Sequence, residues 1–525
     1  MPDNKQNIDP NHVFPINGSK FFCQFKLKSA ESYESKKGLG SINLIDFTKS
    51  AIVSLDIVDS IFEPFTSGSI TVNNPFDYIE DHVQLRGDGT DILEVTLYDI
   101  EDETQQQARA KESGMPYDQR KLKYQFVIQD ENNDVSKTDR SNNFKTYDLI
   151  DVDYYKLNEA VPYGKKYNGW VGDIIKQILE EFDFEIDTEN WSSGNHLIEK
   201  FPEFIIPPAG WRYSDLIKYL IRIYYTSDGD GGLAVQGILK QERPTDDEKS
   251  GKFSLRPLTT IFSDNKKLTQ EAFGIGDLTS GEISESDSPE EREAKNIVAN
   301  NPEMELSVPV NRVTGGLQNA NLTSPMTRFT NEFFVNYTVT THDIQTGMHT
   351  KDTIVIEDIK KEWTEAFVEV FKCMGGKPLP NLYLDEKDKN IYKPYVMPFR
   401  QHQVKSLAIA QMVSNLLFFN LQLGLDTMGA THRKAGRFID IFKLSSKVKA
   451  KHSNSSVSSS DSKLLGRWYV TILRHRFFKD KYQNVVQCVK PCVGPDSWTE
   501  TDMKNLEKLE GSSVGRALLA GQHGA

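Results

Sequence analysis

Gly436-Arg437-Phe438-Ile439-Asp440-Ile441-Phe442 and Arg467-Trp468-Tyr469-Val470-Thr471-Ile472-Leu473-Arg474-His475 are the two runs that decide how this chain is read. Both are dense in β-branched and aromatic residues, which fit a pleated, half-buried surface. Between them, Ser453 to Ser462 holds seven serines in ten residues. A segment of that composition cannot bury enough apolar area to offset the entropy of ordering it. The second run opens at a turn, Leu464-Leu465-Gly466. Two strands around a long polar loop, with no catalytic signature on either, describe a scaffold that meets partners.

The same β signal recurs upstream. Ile52–Val58, Gly68–Val72, Ile92–Tyr98, Tyr124–Ile128 and Lys145–Ile150 are short apolar runs with polar connections at 101–120 and 131–143. That spacing predicts a small antiparallel barrel or sandwich. The period then changes. Trp170, Ile174, Ile175, Ile178, Leu179 and Phe182 repeat at helical spacing, as do Leu216, Ile217, Leu220, Ile221 and Tyr224. A compact α+β unit is expected there. The stretch 277–305 carries nine Asp/Glu against two Lys/Arg and reads as a solvated linker or insertion. Beyond it, Phe333, Val335, Tyr337 and Val339 alternate, and Val485–Lys490 is a further strand.

The expected domains are therefore 1–45, a polar N-terminal arm; 46–162, a first β unit; 163–275, an α+β middle domain; 276–327, an acidic linker or insertion; 328–345 with 416–495, a second β unit; 346–415, an inserted helical or mixed domain; and 496–525, a tail.

Composition narrows the function classes. The net charge of −13 argues against a nucleic-acid binder held by phosphate contacts, which needs a basic face. It suits a passage through which polyanions slide without sticking. Cys23, Cys373, Cys488 and Cys492 are few and scattered, as free thiols in a reducing compartment are. The polar start Met1-Pro2-Asp3-Asn4-Lys5-Gln6 lacks a signal-peptide core, and no apolar run approaches the roughly 20 residues of a span. Synthesis in the cytosol without a membrane segment is expected.

No P-loop, G-x-S-x-G, H-E-x-x-H or dinucleotide fingerprint is present. No catalytic, cofactor-binding or metal-ligating residue is assigned, no cofactor is expected, and the chain is expected not to be an enzyme. Asp228-Gly229-Asp230-Gly231-Gly232 lacks the third ligand, sixth-position glycine and closing Glu of a calcium loop and reads as a turn. Gly87-Asp88-Gly89-Thr90 reads the same way. Cys488-x-x-x-Cys492 has no second ligand pair at zinc spacing. His342 and His349 flank a hairpin turn at Gly347. His475, between Arg474 and Arg476, is expected to be a surface or interface side chain. Arg433, Lys434, Arg437, Lys443, Lys447, Lys449 and Lys451 form the one basic cluster. It is either a solvated face or a docking patch for an acidic partner.

Leu465-Gly466-Arg467-Trp468-Tyr469-Val470-Thr471 with His475, preceded by Gly436–Ile441, resembles the closing strands of the tube-like barrel in baseplate central hub proteins of contractile-tailed bacteriophages. The hub part of type VI secretion spike proteins carries a related barrel. Ile57–Ile70 with Asn73-Asn74-Pro75 looks like the first hub barrel, and the helices near Trp170 and Trp211 fall where hubs carry a middle domain. The resemblance spans most of 45–495. The arm, the acidic segment, the 346–403 insertion and the serine loop depart from it. It implies an α+β, mainly β fold: two small antiparallel tube-like β-barrels separated by an α+β domain, with insertions. It also implies a homotrimeric ring that adapts a six-fold tail tube to a three-fold central spike and leaves a channel for tail contents. Implied partners are further copies of the chain, the tail tube protein, the central spike protein, baseplate wedge or inner baseplate proteins, and the tape measure. The implied location is the virion tail baseplate, with assembly in the host cytoplasm. The alternatives are a peripheral baseplate or adapter component, or a tail-associated cell-wall hydrolase.

Overall fold

Leu55, Ile57 and Asp59 alternate inward along one strand, and the whole architecture can be followed from it. The computed structural model describes residues 12–16, 19–28, 44–47, 51–75, 78–79, 85, 89–99, 121–134, 143–196, 206–227, 234–242, 251–275, 310–312, 320–323, 336–342, 349–354, 392–397, 406–407, 410–411, 414, 421–443, 466–478 and 481–490.

The first unit is built from β1 (Val13–Ile16), β2 (Ser19–Lys28), β3 (Leu44–Phe47), β4 (Ile52–Ser60), β5 (Ser67–Asn73), β6 (Ile92–Asp99), β7 (Leu122–Asp134) and β8 (Phe144–Asp151). They pair in the order β2-β6-β7-β8-β5-β4, with β1 and β3 both on the free side of β2. Alternation puts Phe21, Cys23, Phe25 and Leu27 of β2 inward against Ile57, Ile70, Val72, Val95 and Phe126. Residues 13–16, 19–28 and 44–45, expected in a polar arm, thus supply, with 46–47, one wall of this core. The period-2 signal Phe21-x-Cys23-x-Phe25-x-Leu27 is present but lies between polar stretches that dilute it.

The middle unit follows: α1 (Val152–Glu159), α2 (Val171–Glu181), β9 (Ile186–Trp191), α3 (Tyr213–Ile223), β10 (Thr226–Ser227), β11 (Ala234–Val235), β12 (Gly237–Gln241), β13 (Phe253–Pro257), α4 (Leu258–Ser263) and α5 (Asn265–Leu268). The apolar stripes expected on α2 and α3 are buried, against a small sheet ordered β12-β13-β9. Gly172 lets α2 close on that sheet, since a Cβ there would meet Ser192 O at 2.2 Å.

The second β unit comprises β14 (Thr269–Ile275), β15 (Val310–Arg312), β16 (Ala320–Thr323), then β20 (Leu421–Met428), β21 (Phe438–Lys443), β22 (Gly466–Phe478) and β23 (Lys481–Lys490). Its order is β15-β14-β21-β22-β23-β20-β16. Leu421, Leu423, Leu425, Ile439, Ile441, Trp468, Val470, Leu473, Val486 and Cys488 form its core. Strands β15 and β16 come from the segment expected as an acidic linker. Conversely β17 (Asn336–His342), expected in the second β unit, pairs with β18 (His349–Ile354) and β19 (Tyr392–Met397) in a separate sheet.

The chain is mainly β with a few helices. Among the described residues neither β unit closes into a barrel; instead the two are continuous through β22. The first half of β22 pairs with β21 and its second half with β4. The switch falls at a bulge, where Val470 faces Cys488 and Ile472 faces Gln487, leaving Thr471 extra. The extra residue shifts the parity of the strand, so inward positions change from Trp468 and Val470 to Leu473, His475 and Phe477. Phe477 and Tyr482, opposite each other near the β22–β23 turn, pack into the first core beside Phe25 and Phe21.

Candidate functional site

The inward alternation of β4 places a carboxylate, Asp59, at a position where the preceding residues are apolar, and only 3% of it is exposed. A buried carboxylate needs a partner. It finds one in Lys240 of β12, itself buried, whose Nζ pairs with Asp59 Oδ1 and donates to Ser60 O at 2.9 Å. The second Asp59 oxygen accepts the Ala435 N–H at 2.8 Å from the β20–β21 connection. One carboxylate of the first unit is thereby held by the middle unit and by the second β unit together.

The next two residues extend the junction. Gln241 donates its N–H to Pro64 O at 3.2 Å and its Nε2 to Asp153 Oδ2 of α1 at 2.8 Å. Glu242 takes Lys434 on one oxygen and Arg437 on the other, at 3.1 Å for Arg437. Burial alone would push the Glu242 carboxyl up, but Arg437, Lys434 and Lys240 together outweigh it and hold it well below the usual range. Lys240-Gln241-Glu242 thus reaches all three units from three consecutive residues. Gly436 follows the loop with φ +81°, a conformation glycine adopts without strain, and its N–H bonds Val470 O at 2.9 Å to dock the loop on β22.

A second polar cluster lies on the same spine. Asn484 Oδ1 accepts from Ala430 N at 2.7 Å and Arg433 at 2.8 Å, which fixes its amide so that Nδ2 donates to His475 Nδ1 at 3.0 Å. Tyr482 Oη lies 2.8 Å from the same nitrogen. Arg433 also donates to Thr427 Oγ1 at 2.8 Å.

These contacts revise the expectations. His475 is not a surface side chain: it is 1% exposed and sits inside the cluster. Arg433, Lys434 and Arg437 are not a docking patch, because each is consumed by an internal partner. Lys443 ends β21, and Lys447, Lys449 and Lys451 lie outside the described residues, as do the serine loop, Asp228–Gly232, the 277–305 segment and Cys492. His342 and His349 are register partners across β17 and β18. Gly89 has φ +82°, and Gly87 and Asp88 lie outside the described residues. Among the described residues no group of three or more His, Cys, Asp or Glu is placed to hold a metal, and no helix is long and apolar enough to cross a membrane. The Lys240–Asp59 pair was missed because its partners lie 181 residues apart. The only sequence signal was a charged residue on the inward parity of a strand.

No family model matches the chain, and no curated protein sequence does. Among solved structures it is similar to the 43 kDa tail protein of prophage MuSo2 from Shewanella oneidensis, at 9% identity and a TM-score of 0.41, over 90% of this chain and 98% of that one. It is similar to a tail protein from Neisseria meningitidis MC58, at 9% identity and a TM-score of 0.39, over 91% and 99% of the two chains. A chain of the lidded Francisella PdpA-VgrG complex aligns at 10% identity and a TM-score of 0.40, over 91% of this chain and 53% of that one. Likeness of this degree carries no argument about function, which has to rest on the residues and their arrangement.

Proposed function

We propose that the chain is the central hub of a contractile phage tail baseplate, a non-enzymatic structural protein of the virion. The observation that carries this is the pair of β units with separate cores, joined edge to edge by β22 and fastened by the Lys240 junction. A hub that transmits force needs such a rigid tandem. Three copies, each contributing two units of similar kind, make a ring with six-fold character on one side and three-fold character on the other. That ring adapts the tail tube to the central spike and leaves a channel for tail contents. In that ring the strand edges of neighbouring units pair with one another, which holds the ring and protects the edges. Wedge or inner baseplate proteins and the tape measure are its further contacts, and assembly takes place in the host cytoplasm. The test is the mass and symmetry of the purified protein. A trimer supports the reading; a stable monomer or a six-fold ring at micromolar concentration overturns it.

A further inference from the structure

The β22–β23 hairpin carries a buried polar cluster whose donors and acceptors are fixed. His475 is buried, and Asn484 lies directly opposite it across the two strands. Asn484 Oδ1 takes the Ala430 N–H and the Arg433 guanidinium, so its Nδ2–H faces His475 Nδ1 at 3.0 Å. That nitrogen therefore presents a lone pair, and the ring proton sits on Nε2. The Tyr482 hydroxyl, 2.8 Å away, is the second donor to it. A second ring proton would go on Nδ1, straight against the Asn484 amide hydrogens. Asn484 cannot turn to accept it, because the turned amide would point hydrogens at Ala430 N–H and Arg433. The surroundings favour the neutral ring as well. Strand β4 places Ile57 opposite His475, and Asp59, its next inward carboxylate, is already held by Lys240 and the Ala435 N–H. Arg474 is exposed, and Arg476 pairs with Asp56 on the outer face. Strand β2 packs Phe21 and Phe25 on Tyr482 and Phe477, with Cys23 between them in sequence. The charged group that reaches the cluster is Arg433, a buried cation, with the partly buried His432 before it on the β20–β21 connection.

We propose that His475, Asn484 and Arg433 form an acid-released clamp between the tip of the β22–β23 hairpin and the β20–β21 connection. The tip packs in the first core through Phe477 and Tyr482, whereas the connection belongs to the second β unit. With a neutral ring the clamp holds. Protonation opens it, because two donors then face each other and two cations share one buried amide. The connection it releases also gives the Ala435 N–H to Asp59 and Lys434 to Glu242. The folded protein takes up this proton less readily than the opened chain, where a histidine titrates near about 6.5. The clamp's contribution is therefore complete above that value and is lost as pH falls below it.

The test is hydrogen exchange of the full chain, read on peptides covering 427–436 and 480–486 and corrected for intrinsic rate. From pH 7.5 down to pH 5 the opening equilibrium of the wild type should rise roughly 30-fold. His475→Asn, which keeps an acceptor near the Nδ1 position without titrating, should remove most of that rise. Asn484→Asp keeps an oxygen for Ala430 and Arg433 and turns a second one towards Nδ1, so it should flatten the dependence or reverse it. His432→Gln should leave it in place. A wild type whose opening is flat over this range overturns the proposal. So does an Asn484→Asp or His475→Asn protein with the full wild-type dependence, or a His432→Gln protein that has lost it.

Discussion

Replacing Lys240 with methionine leaves Asp59 buried, with the Ala435 N–H as its one remaining donor, while Ser60 O loses its ammonium partner. The side chains of Lys240 and Asp59 are 11% and 4% exposed, so water cannot substitute. Breaking a buried pair by removing one partner costs about 3–5 kcal/mol, because an uncompensated charge is left inside. Methionine fills most of the lysine stem's volume, so little of the loss comes from a cavity, and about 3 kcal/mol is expected. For a cooperative unit with an m-value of about 3 kcal/mol per M, that moves the urea midpoint down by about 1 M. Adding Asp59→Asn removes the stranded charge and keeps an oxygen for the Ala435 N–H. The double variant should therefore recover about half of the shift or more. Because the pair joins units, Lys240→Met should also broaden the unfolding of the first unit relative to that of the middle unit. A midpoint within about 0.3 M of wild type, or a double variant worse than the single one, would refute the reasoning.

Glu242 tests the other half of the junction. Its folded-state carboxyl is held below the ordinary range, so its contribution is present above the unfolded value near 4.5 and is lost as pH falls. Glu242→Gln should be less stable than wild type at pH 7 and converge with it towards pH 3 in acid titrations followed by fluorescence. Trp468 is fully buried with Lys490 Nζ 4.5 Å from its ring centroid. Trp468→Asp should abolish soluble folding in an expression and gel-filtration assay. Gly89 combines φ +82° with a Tyr155 ring that a Cβ would meet at 2.1 Å. Gly89→Ala should cost about 2 kcal/mol or more in thermal or urea unfolding, because both backbone and ring must shift.

The elements with a clean period were legible. Ile52–Val58, Ile92–Tyr98 and Lys145–Ile150 are strands, and the Ile174/Ile178 and Leu216/Leu220 stripes are buried helix faces. What the pattern could not carry was partner choice. Gly466–Phe478 reads as one strand of one unit, yet a single extra residue at Thr471 lets it serve two. Periodicity reports which face is apolar, and nothing in it reports which strand lies alongside. Tyr337 and Val339 alternate as well as any strand does, but their pairing partners are 349–354 and 392–397, not the second unit. The polar clusters were hidden for a related reason. A buried Lys240, His475 or Arg433 looks like a surface residue until the strand that faces it is known. Arg433 and Lys434 in particular form one basic patch in sequence because they are neighbours, whereas their side chains serve Asn484 and Glu242 respectively.

The hub account turns on how copies assemble. Cryo-electron microscopy of the purified oligomer, with its mass measured in parallel, tests it most directly. The account predicts three copies in a ring whose six β units surround an axial channel. A monomer, or a ring with six copies, would contradict it.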